Sequence, residues 1–180
     1  MIKQLYLLFL VTVASTLLIS CSNDDDSSPD LSDTLALDGI WKLTSLKTEN
    51  GKISPEDISL IADFEMIGEY YGLLIDFIEP NILTQTGFYD LRLRAAGNEE
   101  FVEDIEVVIP PGRWSKEGNE LTISFNNNTL TFVINKISKD KISLVADLNS
   151  YLSIMNVFED EDEPKLTFKG EIVLELTKQN

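Results

Sequence analysis

Residues Ile82 to Arg94, reading ILTQTGFYDLRLR, sort their side chains into two sets. Leu83, Gln85, Gly87, Tyr89, Leu91 and Leu93 fall on one side of an extended chain. Thr84, Thr86, Asp90, Arg92 and Arg94 fall on the other, with Ile82 and Phe88 as exceptions. A period of two is the mark of a strand with one face in a core and one in water. The pattern recurs down the chain. Leu121, Ile123 and Phe125 alternate, an Asn126-Asn127-Asn128 turn follows, and Leu130, Phe132 and Ile134 alternate again. Leu166, Phe168, Ile172, Leu174 and Leu176 share a face near the end, and KISKDKISLVADL gives a hairpin turning at Lys139-Asp140. With Gly39 to Lys47, Tyr70 to Ile78 and Phe101 to Ile109 added, about eight strands are expected, mostly antiparallel neighbours. The class is all-β. Periodicity leaves barrel and sandwich both open, although closure would remove the exposed edges that invite aggregation.

Two segments interrupt the alternation. After a turn at Glu49-Asn50-Gly51, Ser54-Pro55-Glu56-Asp57 has the form of a capping box with proline at the first helical position. It predicts one short helix from Pro55 to about Ile67, between the first two strands, stopped by Gly68. The segment NSYLSIMNVFEDEDE, residues 149 to 163, fits an edge strand or a short helix, or a flap over one barrel mouth.

The front of the chain gives an address. An apolar run from Leu5 to Ile19 follows a single positive charge, Lys3. Spanning a bilayer takes roughly 20 apolar residues, and the run is shorter, as in a secretory signal peptide. It ends in Leu18-Ile19-Ser20-Cys21, which resembles the lipobox of bacterial lipoproteins. That resemblance implies a signal peptide over residues 1 to 20 and a lipid on Cys21, palmitate being one of its acyl groups. Cys21 is the only cysteine, so the acylated chain would have no thiol and no internal disulfide. The following Ser22-Asn23-Asp24-Asp25-Asp26 looks like the acidic export signal of Bacteroidetes-type lipoproteins. It implies an outer-membrane protein, lipid-anchored and facing the cell exterior, with Asp24, Asp25 and Asp26 as the signal. Residues 21 to 36 read as an acylated cysteine and a disordered acidic tether. Within it, Asp33-Thr34-Leu35 resembles a Bacteroidetes O-glycosylation site on Thr34.

Charge and composition exclude much. The formal net charge is -17, and loss of residues 1 to 20 removes only Lys3, giving -18. Such a balance excludes nucleic acid as a partner and flat adsorption on anionic lipid. The membrane is therefore met through the lipid on Cys21. With no histidine, triads built on histidine and zinc sites built on histidine or cysteine are out. Asp76, Asp104 and Glu106 alternate with apolar neighbours, which points them outward rather than together as a catalytic pair. Glu159 to Glu163 contains no Asp-x-Asp-x-Asp-Gly loop and reads as a solvated run. No catalytic residue, metal or cofactor is expected, and the chain does not read as an enzyme.

Residues 37 to 180 resemble a lipocalin-like β-barrel domain. DGIWKLTSLKTENG carries the Gly-x-Trp opening of lipocalins, and GRWSKEGNELTISF with LTFVINKISKDKISL resembles the middle strands of Bacteroidetes lipocalin-like lipoproteins. The family implies that Gly39 lets the chain into the first strand and that Trp41 plugs one end of the barrel. It also places a late arginine against that tryptophan, and here only Lys169 or Lys178 is available for the role. Two functions follow. A container barrel would hold a small apolar or amphipathic ligand among Leu83, Tyr89, Leu91, Leu121, Ile123, Phe132 and Phe168, with Gln85 at its polar end. A filled barrel would instead be a structural or protein-binding subunit of an envelope assembly. Arg92 and Arg94 either form an outward salt-bridged surface or, with the face reversed, line the pocket.

Overall fold

The computed structural model describes residues 35–55, 61–155 and 165–179. In chain order these give β1 (Gly39–Pro55), β2 (Ala62–Glu69), β3 (Leu74–Ile78), β4 (Ile82–Thr86), β5 (Tyr89–Ala95) and β6 (Asn98–Ile105). Then come β7 (Gly112–Glu117), β8 (Glu120–Phe125), β9 (Asn128–Ser138), β10 (Lys141–Asp147), the helix α1 (Leu148–Met155) and β11 (Leu166–Lys178).

Eight of the strands close on themselves. The hydrogen-bonded order β11-β10-β9-β8-β7-β4-β3-β1 returns to β11 through its pairing with β1. Every pairing is antiparallel. Closure decides for the barrel over the sandwich. Its inward residues include Trp41, Leu43, Ile75, Phe77, Leu121, Ile123, Phe132, Leu144 and Leu174, all fully buried in one cluster. Alternation in sequence has become inside and outside of a wall, as pleating requires.

The remaining strands arise because three long strands are each broken near the middle. β2 and β3 both run antiparallel to β1, with Lys47 opposite Ile67 and Lys42 opposite Leu74. They are halves of one strand interrupted at residues 70 to 73, where Tyr70 takes a positive φ of 50°. β4 and β5 are likewise one strand interrupted at Gly87-Phe88, with Leu74 opposite Thr86 and Glu69 opposite Asp90. Gly72 N–H donates to Phe88 O at 2.8 Å and ties the two breaks together. Gly87 has φ of +93°, and a Cβ there would strike the Gly72 carbonyl, so glycine is required. β6 and β7 are the third pair, separated by residues 106–111. One half of each, β2, β5 and β6, forms a flange that extends from β1 and ends at β6.

Three expectations need correction. Among the described residues the helix lies between β10 and β11, not between the first two strands. The segment expected to be helical up to Ile67 is instead β2 from Ala62 onward, with residues 56–60 outside the described set. Ser54 and Pro55 are the last residues of β1, opposite Thr167 and Leu166. Phe64, Met66 and Gly68 alternate inward in β2, so burial at period two overrode a local capping signal. The Glu49-Asn50-Gly51 turn is not a chain reversal either. Glu49 opposes Glu171 and Lys52 opposes Lys169, so Asn50 and Gly51 together face the single Gly170, a β-bulge. Asn50 has φ of 55°, and a Cβ on Gly170 would lie 2.6 Å from Glu49 O. Finally, Ile82 to Arg94 and Phe101 to Ile109 are not single strands, because the breaks just described end them early.

Of the ambiguous 149–163 segment, α1 accounts for the described part. Asp147 caps it, its Oδ1 accepting from Ser150 N–H and from the Ser150 hydroxyl, both at 2.8 Å. Asn149 Oδ1 accepts from Phe168 N–H at 3.0 Å and fixes the helix to β11. Leu148, Tyr151 and Leu152 are the buried face.

Candidate functional site

The expected interior set is brought together, and it is packed. Leu83, Tyr89, Leu91, Leu121, Ile123, Phe132 and Phe168 all belong to the single core cluster, none more than 6% exposed. Phe168 meets Phe64 edge to face with centroids 4.9 Å apart. Phe77 meets Trp114 the same way at 5.7 Å. Contacts of this kind fill a small barrel with its own side chains.

Gln85 sits at a gap in the wall. β7 pairs with β4 only at Ile82 and Leu83, and β6 first meets β5 at Tyr89. Between them residues 106–111 leave the ladder. The Gln85 amide replaces the missing ladder bonds: Oε1 accepts from Val108 N–H at 3.0 Å and Ile109 N–H at 3.2 Å, while Nε2 donates to Ile109 O. Val108 and Ile109 are fully buried, so their backbone groups need such partners. Outside this clasp lies a recess of about 360 Å³ bordered by Thr86, Phe88, Glu106, Val107 and Pro111.

Tyr89 and Tyr151 lie beside that clasp. The Tyr151 hydroxyl donates to Val108 O at 2.8 Å. The Tyr89 and Tyr151 hydroxyls also interact with each other. Burial pushes both phenols well above the ordinary tyrosine range. They remain neutral at physiological pH. Side chains from β4 and α1 thus converge on one dipeptide, and Tyr89 of β5 meets the second of them.

Trp41 stands near the start of β1, opposite Ile75 on β3 and Lys178 on β11. It is fully buried, and its Nε1 donates to Leu37 O at 2.6 Å. Lys178, directly opposite on β11, places Nζ 5.4 Å from the ring centroid, a cation–π contact. Of the two lysines, Lys178 therefore stands on the tryptophan, and Lys169 pairs with Lys52 instead. Gly39, with φ of +105°, brings the chain into β1 with the Lys178 stem 3.6 Å from where a Cβ would be.

The outer wall of the flange carries the strongest electrostatics. Arg92 Nε lies 2.7 Å from Glu69 Oε1, and its Nη1 lies 2.8 Å from Glu99 Oε1. Arg94 bridges Glu99 at 2.7 Å and Glu65 at 3.0 Å. Arg92 and Arg94 therefore face outward rather than into the core. Hydrogen bonding to Arg92 lowers the Glu69 pKa, and bonding to Arg94 lowers that of Glu99. Beside Arg92 a groove of about 580 Å³ is floored by Tyr70, Phe88 and Phe101 and rimmed by Asp90 and Glu103. All three aromatics are exposed, Tyr70 at 74%.

Sequence reasoning missed Val108, Ile109 and the functional pairing of Tyr151 with Tyr89. The available signal was Pro110-Pro111, since prolines cannot donate to a central ladder and mark where a strand leaves it. It also missed the exposed aromatic floor, although Phe88 stood out as an exception to its own alternation. Cys21, Asp24, Asp25, Asp26 and Thr34 lie outside the described residues, as does Glu159 to Glu163. Among the described residues no group of three or more acidic, histidine or cysteine side chains is disposed to hold a metal. No described helix is long and apolar enough to cross a membrane. Compared with known proteins, the chain matches no family model, no curated protein and no solved structure at a significant level.

Proposed function

We propose that this chain is a lipid-anchored outer-membrane protein of lipocalin-like type whose filled barrel serves as a scaffold for binding a protein partner of the envelope. One observation carries the reading. The side chains that would line a ligand cavity pack on each other, and the polar groups among them are engaged: Gln85 on Val108 and Ile109, Tyr89 on Tyr151. A ligand-orienting polar group must have bonding capacity to offer, and these have given theirs to the protein. The lipocalin-like character rests on Gly39, the buried Trp41 and the Lys178 contact.

The container reading has one observation in its favour. The recess of about 360 Å³ outside Gln85 falls within the range of small-molecule sites and touches Phe88. A ligand would there be held in the wall rather than in the lumen.

Native mass spectrometry of the full-length protein from its own host, in detergent, tests both. The scaffold reading expects no bound small molecule, and equal, weak response of wild type and Leu91→Trp to a fluorescent fatty-acid analogue. A host-derived ligand, or analogue binding abolished by Leu91→Trp, would overturn it for the container. The anchor has its own test: Cys21→Ala should abolish incorporation of a labelled lipid precursor and leave the protein unprocessed or released. Unchanged labelling would remove the lipoprotein assignment.

A further inference from the structure

The last strand of the flange is bonded on one side only. β6 pairs with β5, and among the described residues no strand meets its other edge. In an antiparallel ladder alternate residues turn their N–H and C=O groups away from the partner, so β6 offers a row of unused donors and acceptors. Its 8 residues span roughly 26 Å at the usual rise per residue. Asp104, with φ of 57° and its N–H held by Asp90 at 3.0 Å, ends the regular stretch, leaving Asn98 to Glu103 as the usable edge.

Two features select what can occupy it. The first is charge. β6 carries Glu99, Glu100, Glu103 and Asp104 and no basic residue. Glu99 is committed to Arg92 and Arg94, whereas Glu100 and Glu103 have no ion-pair partner among the described residues. Two copies meeting edge to edge would set carboxylate against carboxylate, which is destabilising at cross-strand positions. A basic strand meets the opposite situation. The second feature is the aromatic floor beside the edge. Phe101 lies mid-strand and 43% exposed, with Arg92 over one face of its ring at 5.8 Å, and with Phe88 and Tyr70 it lines the groove rimmed by Glu103 and Asp90. Side chains of an added strand project alternately to either face, so every second one lands beside this groove. A lysine there lays its methylene stem on the rings and sends its ammonium to the carboxylates.

We infer that β6 accepts a basic, extended segment of a partner protein as an added strand, with lysine or arginine at alternate positions seated over Phe101 toward Glu103. This rests on the partner-binding reading and names the surface and the chemistry that would serve it. A second copy of this chain is disfavoured by the same charges that favour a basic partner.

The test uses full-length protein in detergent and three labelled eight-residue peptides: alternating lysine–valine, alternating glutamate–valine, and alternating lysine–proline. The last has the charge of the first but lacks every second N–H of a strand. Anisotropy at low salt should report binding of the lysine–valine peptide alone. Glu100→Lys/Glu103→Lys should weaken it at least tenfold, and Phe101→Ala several-fold, with thermal midpoints unchanged because these side chains are exposed. Hydrogen exchange should slow at residues 98 to 103 when that peptide is bound. Equal binding of the lysine–proline peptide, or equal binding to Glu100→Lys/Glu103→Lys, would overturn the inference. Crosslinking in the host envelope separates the two levels. A partner held equally by wild type and the double variant overturns β6 as the site and leaves the scaffold reading standing. No partner on either protein strikes the scaffold reading itself.

Discussion

The two halves of β1 lie in different company. From Gly39 to Lys42 the strand runs between β11 and β3 and belongs to the closed ring. From Lys47 to Ile53 it runs between β11 and β2 and belongs to the flange. In the ring every strand has two partners, and the inward side chains are fully buried on every strand but β7, whose Trp114 is half-buried. In the flange the sheet stops at β6, its inner face still joins the core through Phe64, Met66 and Leu91, and its outer face is a web of Arg92, Arg94 and glutamates. Closure satisfies backbone groups without help from charge. An open sheet has to manage its edge, and here acidic residues do so. Stability should accordingly reside in the ring and recognition in the flange.

The largest effect expected of that contrast is in the ring, at Trp41. Trp41→Ala removes a fully buried indole, its bond to Leu37 O and the Lys178 contact. It should cost roughly 3–5 kcal/mol in denaturant unfolding. Phe101→Ala, aromatic as well but on the outer flange, should stay within about 0.5 kcal/mol of wild type. Similar losses at both positions would break the division of labour.

Gln85→Met comes next and probes the seam between the two regions. The substitution keeps the volume and strips the amide from Val108 N–H, Ile109 N–H and Ile109 O. Leaving buried backbone groups unpaired costs about 1–3 kcal/mol. Exchange of the amides at 108 and 109 should accelerate with it. Unchanged exchange there would mean that water, not glutamine, satisfies that loop.

A third expectation sharpens the comparison with pH. Tyr89 and Tyr151 have pKa values raised by burial above the ordinary 10.0 of an unfolded tyrosine. The unfolded chain therefore releases these protons first, and their contribution is complete below about pH 10 and is lost as pH rises. The decline should reach at most about 1.4 kcal/mol per pH unit for each buried phenol. Tyr89→Phe/Tyr151→Phe should flatten that alkaline slope while lowering stability at neutral pH by the lost bonds. A slope unchanged in the double variant would assign the alkaline loss to other groups.

Much of the ring was legible because its signal is local. Leu121, Ile123, Phe132 and Phe168 face inward as their alternation says, and Asn126 and Asn127 turn with positive φ as their side chains allow. The breaks were illegible for the opposite reason. Whether Gly87 interrupts a strand depends on Gly72, fifteen residues away in sequence and adjacent in the sheet. The same holds for Ser54-Pro55, whose capping signal is real locally and loses to pairing with β11. In the candidate site, Tyr89 could be assigned to the inner face from its neighbours, but its partner Tyr151 sits on a helix 62 residues later and shares no local pattern with it. The address at Cys21 rests on residues outside the described set, and there sequence alone speaks.

The smallest effect belongs to the flange surface. Arg92 and Arg94 hold Glu69 and Glu99 below the ordinary carboxylate value of 4.5, chiefly by hydrogen bonding. A lowered folded pKa means that these pairs contribute fully above the unfolded value and are lost as pH falls through the lowered one. The groups are open to solvent, where ion pairs are weak and screened by salt. Glu69→Gln should therefore lower the unfolding midpoint slightly at neutral pH in dilute buffer, and less again below pH 4. Near 1 M salt the difference should vanish, since the Debye length falls to roughly 3 Å. Arg92 would keep Glu99 as a partner in that variant, which limits the loss further. A cost comparable to that of Gln85→Met, or one that survives high salt, would mean that the web supports the fold and not only the surface. The flange could then no longer be treated as the part of the molecule free to serve recognition.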